Sequence, residues 1–171
     1  MLEAANRAYG LNEFLTSDPE RDRTWGVVLG GEPIALGRLQ RHADGAQEIG
    51  GFWVEEGYRG RGLARAMVRH VLEHVPAGSE VWCVPFDHLT DFYLGFGMQR
   101  ITDLERVPAS VREKLDWCTG NWAQGSCVGT QLLRWVGTDE KPRGRGVIRA
   151  TASEDCVTDG PSCRPRIVDD P

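Results

Sequence analysis

The stretch Gln47–Met67, QEIGGFWVEEGYRGRGLARAM, decides how this chain folds. Gln47 to Val54 is a β-type run, Arg59 to Gly62 alternates arginine with glycine, and a different period starts at Leu63. From there Leu63, Met67, Val71 and Val75 recur every four residues beside Ala64, Val68 and Leu72, while Arg65, Arg69, Glu73 and His74 fall on the other side. The pattern is a strand, a glycine-rich turn and an amphipathic helix that ends near Pro76 and Gly78. Glycine lets backbone come close to a ligand, and the first amides of a helix have no partners within it. With the helix dipole, those amides suit a phosphate or pyrophosphate. Two common phosphate motifs do not fit. A P-loop needs Lys-Ser or Lys-Thr, a pair the chain lacks, and Gly60-Arg61-Gly62 is followed by Leu-Ala-Arg rather than the spacing of a dinucleotide fingerprint.

Upstream, residues 6–15 read as a short helix, and Trp25–Leu29, Pro33–Gln40 and Gln47–Val54 as three strands. Gly30-Gly31 and His42–Gly45 supply the turns, so the strands form an antiparallel meander. Downstream, Val81–Val84 reads as a buried strand, which makes a right-handed parallel crossover with the strand before the helix. His88–Phe96 then reads as a helix, Met98–Thr102 as a strand, Pro108 as the start of a helix over Ala109–Leu115, and Val128–Val136 as the last strand. The expected fold class is α/β, with a mixed sheet of about six strands and about four helices.

The chain's 171 residues predict one domain, and 40% hydrophobic with 26% charged residues is ordinary for a globular protein. A net charge of −5 excludes a surface built throughout for nucleic acid. No run is long and apolar enough to span a bilayer, and the first residues have no signal-peptide core. The five cysteines, Cys83, Cys118, Cys127, Cys156 and Cys163, are scattered without CxxC pairs. That usage predicts free thiols and a cytoplasmic location. After Trp135, the segment 136–171 has no aromatic, Leu or Met, and seven acidic residues against six basic ones. It reads as a mostly disordered tail behind a folded domain over 1–135.

Arg59-Gly-Arg-Gly62-Leu-Ala64 resembles the [Q/R]-x-x-G-x-[G/A] pyrophosphate loop of the GNAT N-acetyltransferase superfamily, and it follows a strand ending at Val54. A second segment, Phe92-Tyr93-Leu-Gly-Phe-Gly97-Met98, resembles that family's F-Y-x-x-x-G-F signature, with Met as its final residue. The resemblance covers Trp25–Thr102 well and Pro108–Val136 more loosely. One departure is that GNAT domains open with a strand before the first helix, and this chain begins at or inside that helix.

The resemblance implies the GNAT fold and an acetyl-CoA co-substrate whose thioester a primary amine attacks directly. It implies that Arg59, Gly60, Arg61, Gly62, Leu63 and Ala64 bind the pyrophosphate through their backbone. It also implies that Phe52, Trp53 and Val54 pair with the pantetheine arm, the Val54 amide facing the thioester oxygen like an oxyanion-hole donor. Strand packing is the plainer reading of those three side chains, and it is compatible with the first. Tyr93 is the candidate general acid for the departing thiolate, against a half-buried helix tyrosine. Glu48 shares strand parity with Phe52 and Val54 and matches the glutamate base of the histone-acetylating branch, against a solvated strand face.

Other features are weaker. His70 and His74 lie four apart on the helix's polar side, but no third ligand is spaced with them, so they read as a solvated helix face and no metal is expected. Cys83, near Asp87 and His88, raises a thiol nucleophile, yet it sits in a buried strand pattern. Arg143-Gly-Arg145-Gly146 looks like a short RNA-binding segment, but a single copy in a near-neutral tail reads as linker, so nucleic acid is not an expected partner. The expected partner is an amine acceptor, a small molecule or a protein amine, with no membrane; a homodimer is left open. The rival function is a CoA-binding sensor or partner-binding module on the same fold without catalysis.

Overall fold

Two adjacent glycines, Gly30 at φ 62° and Gly31 at φ 92°, turn the first hairpin, since only a residue without Cβ takes consecutive left-handed positions at no cost. They join β1 (Asp22–Leu29) to β2 (Glu32–Arg41). His42, Gly45 and Ala46 close the second turn through bonds of 3.0 Å (Gly45 N–H to the His42 carbonyl) and 2.9 Å (His42 N–H to the Ala46 carbonyl), leading into β3 (Gln47–Val54). This computed structural model describes residues 2–11, 15–122, 129–138 and 166–169.

The remaining elements are α1 (Leu2–Leu11), α2 (Leu63–Glu73), β4 (Glu80–Cys83), α3 (Thr90–Leu94), β5 (Gln99–Arg100), α4 (Ala109–Trp122), β6 (Leu133–Val136) and β7 (Arg166–Asp169). The chain divides into two units by its internal packing: 1–39, 51–71 and 143–171 in the first, 40–50 and 72–142 in the second. In the first the strand order is β3–β2–β1–β7, and in the second it is β5–β6–β4–β3, so β3 runs through both. β3 is parallel to β4, with Glu48 opposite Trp82, while β6 is antiparallel to both β4 and β5. The expected mixed α/β sheet and four helices are therefore present among the described residues, with β7 as a seventh strand there.

In the first unit the core gathers Ala5 and Tyr9 of α1, Leu36 of β2 and Trp53 of β3. Leu63, Met67, Val68 and Val71 of α2 are buried as their spacing predicts. His70 departs from the expected solvated face: its ring meets the Trp25 ring edge-on, with centroids 6.0 Å apart. The second unit packs Trp82, Val107, Val111 and Leu132 together, with Leu115 against them.

Several boundaries differ from the sequence reading. α1 covers Leu2–Leu11 and so begins before the expected 6–15; residues 12–14 lie outside the described residues and Leu15 is not helical. Asn6 turns its amide to the Ser17 backbone, accepting from its N–H at 2.7 Å and donating to its carbonyl at 3.3 Å. α4 runs past Leu115 because its apolar stripe continues to the buried Cys118. The segment 88–96 begins with a 3-10 turn over Asp87–Leu89 before α3. The last strand is confined to Leu133–Val136, and Val128 lies outside the described residues. Of the tail expected to be disordered, Arg166–Asp169 instead pairs with Trp25–Val28 of β1; residues 139–165, 170 and 171 lie outside the described residues. Among the described residues no helix is long and apolar enough to cross a membrane.

Candidate functional site

The loop after β3 is held open by its own backbone. Val54 ends the strand, Glu56–Tyr58 makes one 3-10 turn, and the Arg59 Nε–H donates back to the Val54 carbonyl at 3.0 Å. Gly60 (φ 73°) and Gly62 (φ 81°) then take left-handed angles, and a Cβ on either would meet no atom within 4 Å. Glycine is needed here for conformation, and the space beside it is empty of protein. At the start of α2 the Ala66 N–H donates to the Gly62 carbonyl at 3.0 Å, and the helix's first amides have no i−4 acceptor within it. No acidic residue stands in the first turn of α2. The exposed Arg61 guanidinium lies 5.1 Å from the Tyr58 ring centroid. A helix N-terminus with its dipole and nearby arginines has the electrostatics that suit an anion.

The strand leading to that loop is packed by its side chains. The Phe52 ring lies across Gly37 of β2, where an added Cβ would come within 2.6 Å of it. Trp53 is buried against Ala5, Tyr9 and Leu36. Gly51 has φ 60°, and a Cβ there would lie 2.9 Å from the Tyr9 hydroxyl and 3.0 Å from Arg38 Nε. Beneath it, Arg38 donates to the Leu15 carbonyl at 2.7 Å and to the Ser17 hydroxyl at 3.2 Å, and its guanidinium faces Asp22 at 3.8 Å. These bonds hold the chain between α1 and β1 against β2.

In the second unit Glu48 is 1% exposed, so its carboxylate must be matched by partners. Oε2 meets His42 Nε2 at 3.0 Å, and Oε1 forms a very short ion pair with Lys114 Nζ on α4. Burial alone raises the Glu48 pKa; the His42 hydrogen bond and the Lys114 charge outweigh it and hold the carboxyl below its ordinary range. The helix that brings Lys114 is anchored at its start by Asp44, which accepts from the Ser110 N–H at 3.1 Å and its hydroxyl at 2.9 Å. Those bonds, the backbone one first, lower the Asp44 pKa.

Tyr93, on α3, is buried, and its hydroxyl is hydrogen-bonded with the Cys83 thiol of β4. Burial first, then the Cys83 sulfur, pushes the Tyr93 pKa well above its usual value, so the phenol keeps its proton. Burial likewise raises Cys83, aided by the Glu48 charge, which leaves a neutral thiol rather than an activated one. Tyr93, Cys83, Glu48 and Lys114 thus form one interacting chain. It contains an ionised carboxylate held by Lys114 and His42 and a phenol that keeps its proton.

The two expected catalytic residues both fall in this cluster. Phe52, Trp53, Val54 and Arg59–Ala64 form the continuous strand, loop and helix start described above. Three partners were not expected: His42, Lys114, and Cys83 as the acceptor or donor for Tyr93. His42 has a local signal, since it stands across a tight turn from Glu48. Lys114 has none.

Comparison with known proteins follows the same outline. The family model described as acetyltransferase (GNAT) family matches residues 3–98. No curated protein matches the sequence. Among solved structures, an aminoglycoside 6'-N-acetyltransferase complexed with coenzyme A matches at TM-score 0.54 and 11% identity, covering 81% of this chain and 92% of that one. Rv2747 from Mycobacterium tuberculosis, in complex with CoA, matches at TM-score 0.53 and 16% identity over 79% and 93%. The ribosomal-protein-S18-alanine N-acetyltransferase from Escherichia coli matches at 0.52 and 14% over 85% and 92%. At these identities the likeness is one of fold.

Proposed function

The chain belongs to the acetyltransferase (GNAT) family, and from that premise we propose that it transfers an acetyl group from acetyl-CoA to a primary amine by direct attack on the thioester. The observation that carries this reading is the glycine loop at the start of α2, where Gly60 and Gly62 take left-handed angles with open space beside them. Backbone from Arg59 to Ala64 grips the pyrophosphate. Phe52, Trp53 and Val54 run alongside the pantetheine arm, and the Val54 amide steadies charge on the thioester oxygen. Glu48, buried with its two oxygens on His42 and Lys114, takes the acceptor's proton through a relay rather than by direct contact, and Tyr93 protonates the leaving thiolate. The low Glu48 pKa keeps it ionised at neutral pH, paired with the Lys114 ammonium, and limits its strength as a base. The buried neutral Cys83 serves to orient the Tyr93 hydroxyl. The location proposed is the cytoplasm; among the described residues Cys83 and Cys118 are free thiols.

Calorimetry with CoA, followed by a panel of amines with acetyl-CoA and release of CoA thiol as the readout, tests the proposal. The panel includes an aminoglycoside, a peptide with N-terminal alanine, a lysine peptide and free amino acids. CoA binding with thiol release on one amine class supports catalysis and names the acceptor. CoA binding with no release on any amine would make the chain a CoA sensor, and absence of CoA binding would remove both readings.

A further inference from the structure

Gly51 has φ 60° inside β3, a run that is otherwise β-strand from Gln47 to Val54. A left-handed glycine in a strand marks a bulge, which shifts by one residue the alternation of everything after it. Beyond Gly51, Phe52 lies across Gly37, beside Met67 of α2, while Trp53 packs on Ala5 and Tyr9 of α1. The Glu55 N–H donates to the Ile34 carbonyl of β2 at 2.9 Å. Successive strand amides point to opposite edges, so the Val54 amide points away from β2. The acetyl-CoA reading needs a Val54 amide that is not spent on β2, and Gly51 decides which amides those are.

Two side chains from other elements sit directly against Gly51. A Cβ on it would lie 2.9 Å from the Tyr9 hydroxyl and 3.0 Å from Arg38 Nε. The Arg38 guanidinium is 5.0 Å from the Tyr9 ring centroid. Its far end is anchored, Nη1 donating to the Leu15 carbonyl at 2.7 Å and the Ser17 hydroxyl at 3.2 Å, and facing Asp22 at 3.8 Å. Thr24 in turn donates to Ser17 Oγ at 2.9 Å. The Arg38 side chain is 4% exposed, so it does not serve a ligand from solvent. Among the described residues its Nε has no hydrogen-bond partner, and that is the atom against Gly51. A buried donor left unpaired costs stability, so packing alone does not account for an arginine here. All these residues belong to the first unit, as do Val54 and the glycine loop.

We propose that Arg38, backed by Tyr9, is a positioning residue for acetyl transfer: it fixes the Gly51 bulge and through it aims the Val54 amide at the thioester oxygen. The proposal rests on the acetyl-CoA reading above. Arg38 acts on the reaction only through the strand. Lysine would keep the charge opposite Asp22, but it has no nitrogen part-way along its stem to lie against Gly51.

The full chain is given acetyl-CoA enriched in carbon-13 at the acetyl carbonyl, and the carbonyl resonance is compared free and bound. A carbonyl that accepts a hydrogen bond moves downfield, and the bound signal of the unaltered chain should do so. Arg38→Lys should leave CoA affinity, read by calorimetry, unchanged and abolish most of that shift. Gly51→Ala should do likewise, and adding Tyr9→Phe to it should restore part of the shift by clearing one of the two contacts. Gly51→Ala leaves the charges of the cluster intact and carries the test where Arg38→Lys does not fold. An undiminished shift in either folded variant, even with a lower melting temperature, would overturn this proposal alone and make the cluster a matter of packing. CoA bound with no shift in the unaltered chain would remove the Val54 role and this proposal with it. No CoA binding would remove the acetyl-CoA reading as well.

Discussion

Tyr93→Phe removes one oxygen and keeps the ring that packs edge-on against Phe92 with centroids 5.0 Å apart. If the hydroxyl protonates the thiolate, kcat should fall by roughly 10²–10⁴-fold while CoA affinity, measured by calorimetry, stays the same. A wild-type rate would reduce Tyr93 to packing and to its bond with Cys83. Glu48 has a different pH signature. Its folded pKa is below the ordinary 4.5, so its stabilising contribution is present above that value and lost as pH falls through the lower folded one. Thermal melts across acidic pH should show that loss in the native chain and a flatter profile in Glu48→Gln, whose amide does not titrate. In turnover, the Glu48→Gln defect should shrink as pH rises and the acceptor amine sheds its own proton. A defect equal at every pH would leave Glu48 with binding alone.

At the scale of elements, the start of α2 is the part that the proposed donor site most depends on. Gly62 sits at φ 81° with open space beside it, so a larger residue there is strained by its backbone and not by collision. Gly62→Glu adds that strain and places a carboxylate where an anion is to bind. CoA affinity should be lost, which calorimetry on a variant verified as folded by circular dichroism would read. Retained affinity would mean that the pyrophosphate lies elsewhere. The helix itself should persist, because Leu63, Met67, Val68 and Val71 remain buried whatever residue precedes them.

For the whole molecule, the strand that pairs with β1 comes from the far end of the chain. Arg166–Asp169 covers the edge presented by Trp25–Val28. An uncovered strand edge offers a row of unpaired amides and carbonyls to any other edge. A chain stopped after Thr138 should therefore melt at lower temperature and self-associate, which light scattering would detect. An equally stable and monodisperse product would show that β1 needs no cover. Composition could not reveal this strand, since its four residues sit in a segment too poor in apolar residues to order on its own. A short strand of that kind exists only through the edge that receives it.

The sequence by itself determined the meander, the bounds of β3 at Gln47 and Val54, the amphipathic α2 and the glycine loop between them. These depend on contiguous residues, where hydrophobic period and glycine's backbone freedom act over a few positions. It placed Tyr93 and Glu48 as candidates from two local motifs. Only the tertiary structure decided what surrounds them. Lys114 lies sixty-six positions from Glu48, and the approach of Tyr9 and Arg38 to Gly51 joins three separate elements. The acid–base character of Glu48 is set by those distant partners, because a buried carboxylate takes its pKa from the charges packed against it rather than from its neighbours in the chain.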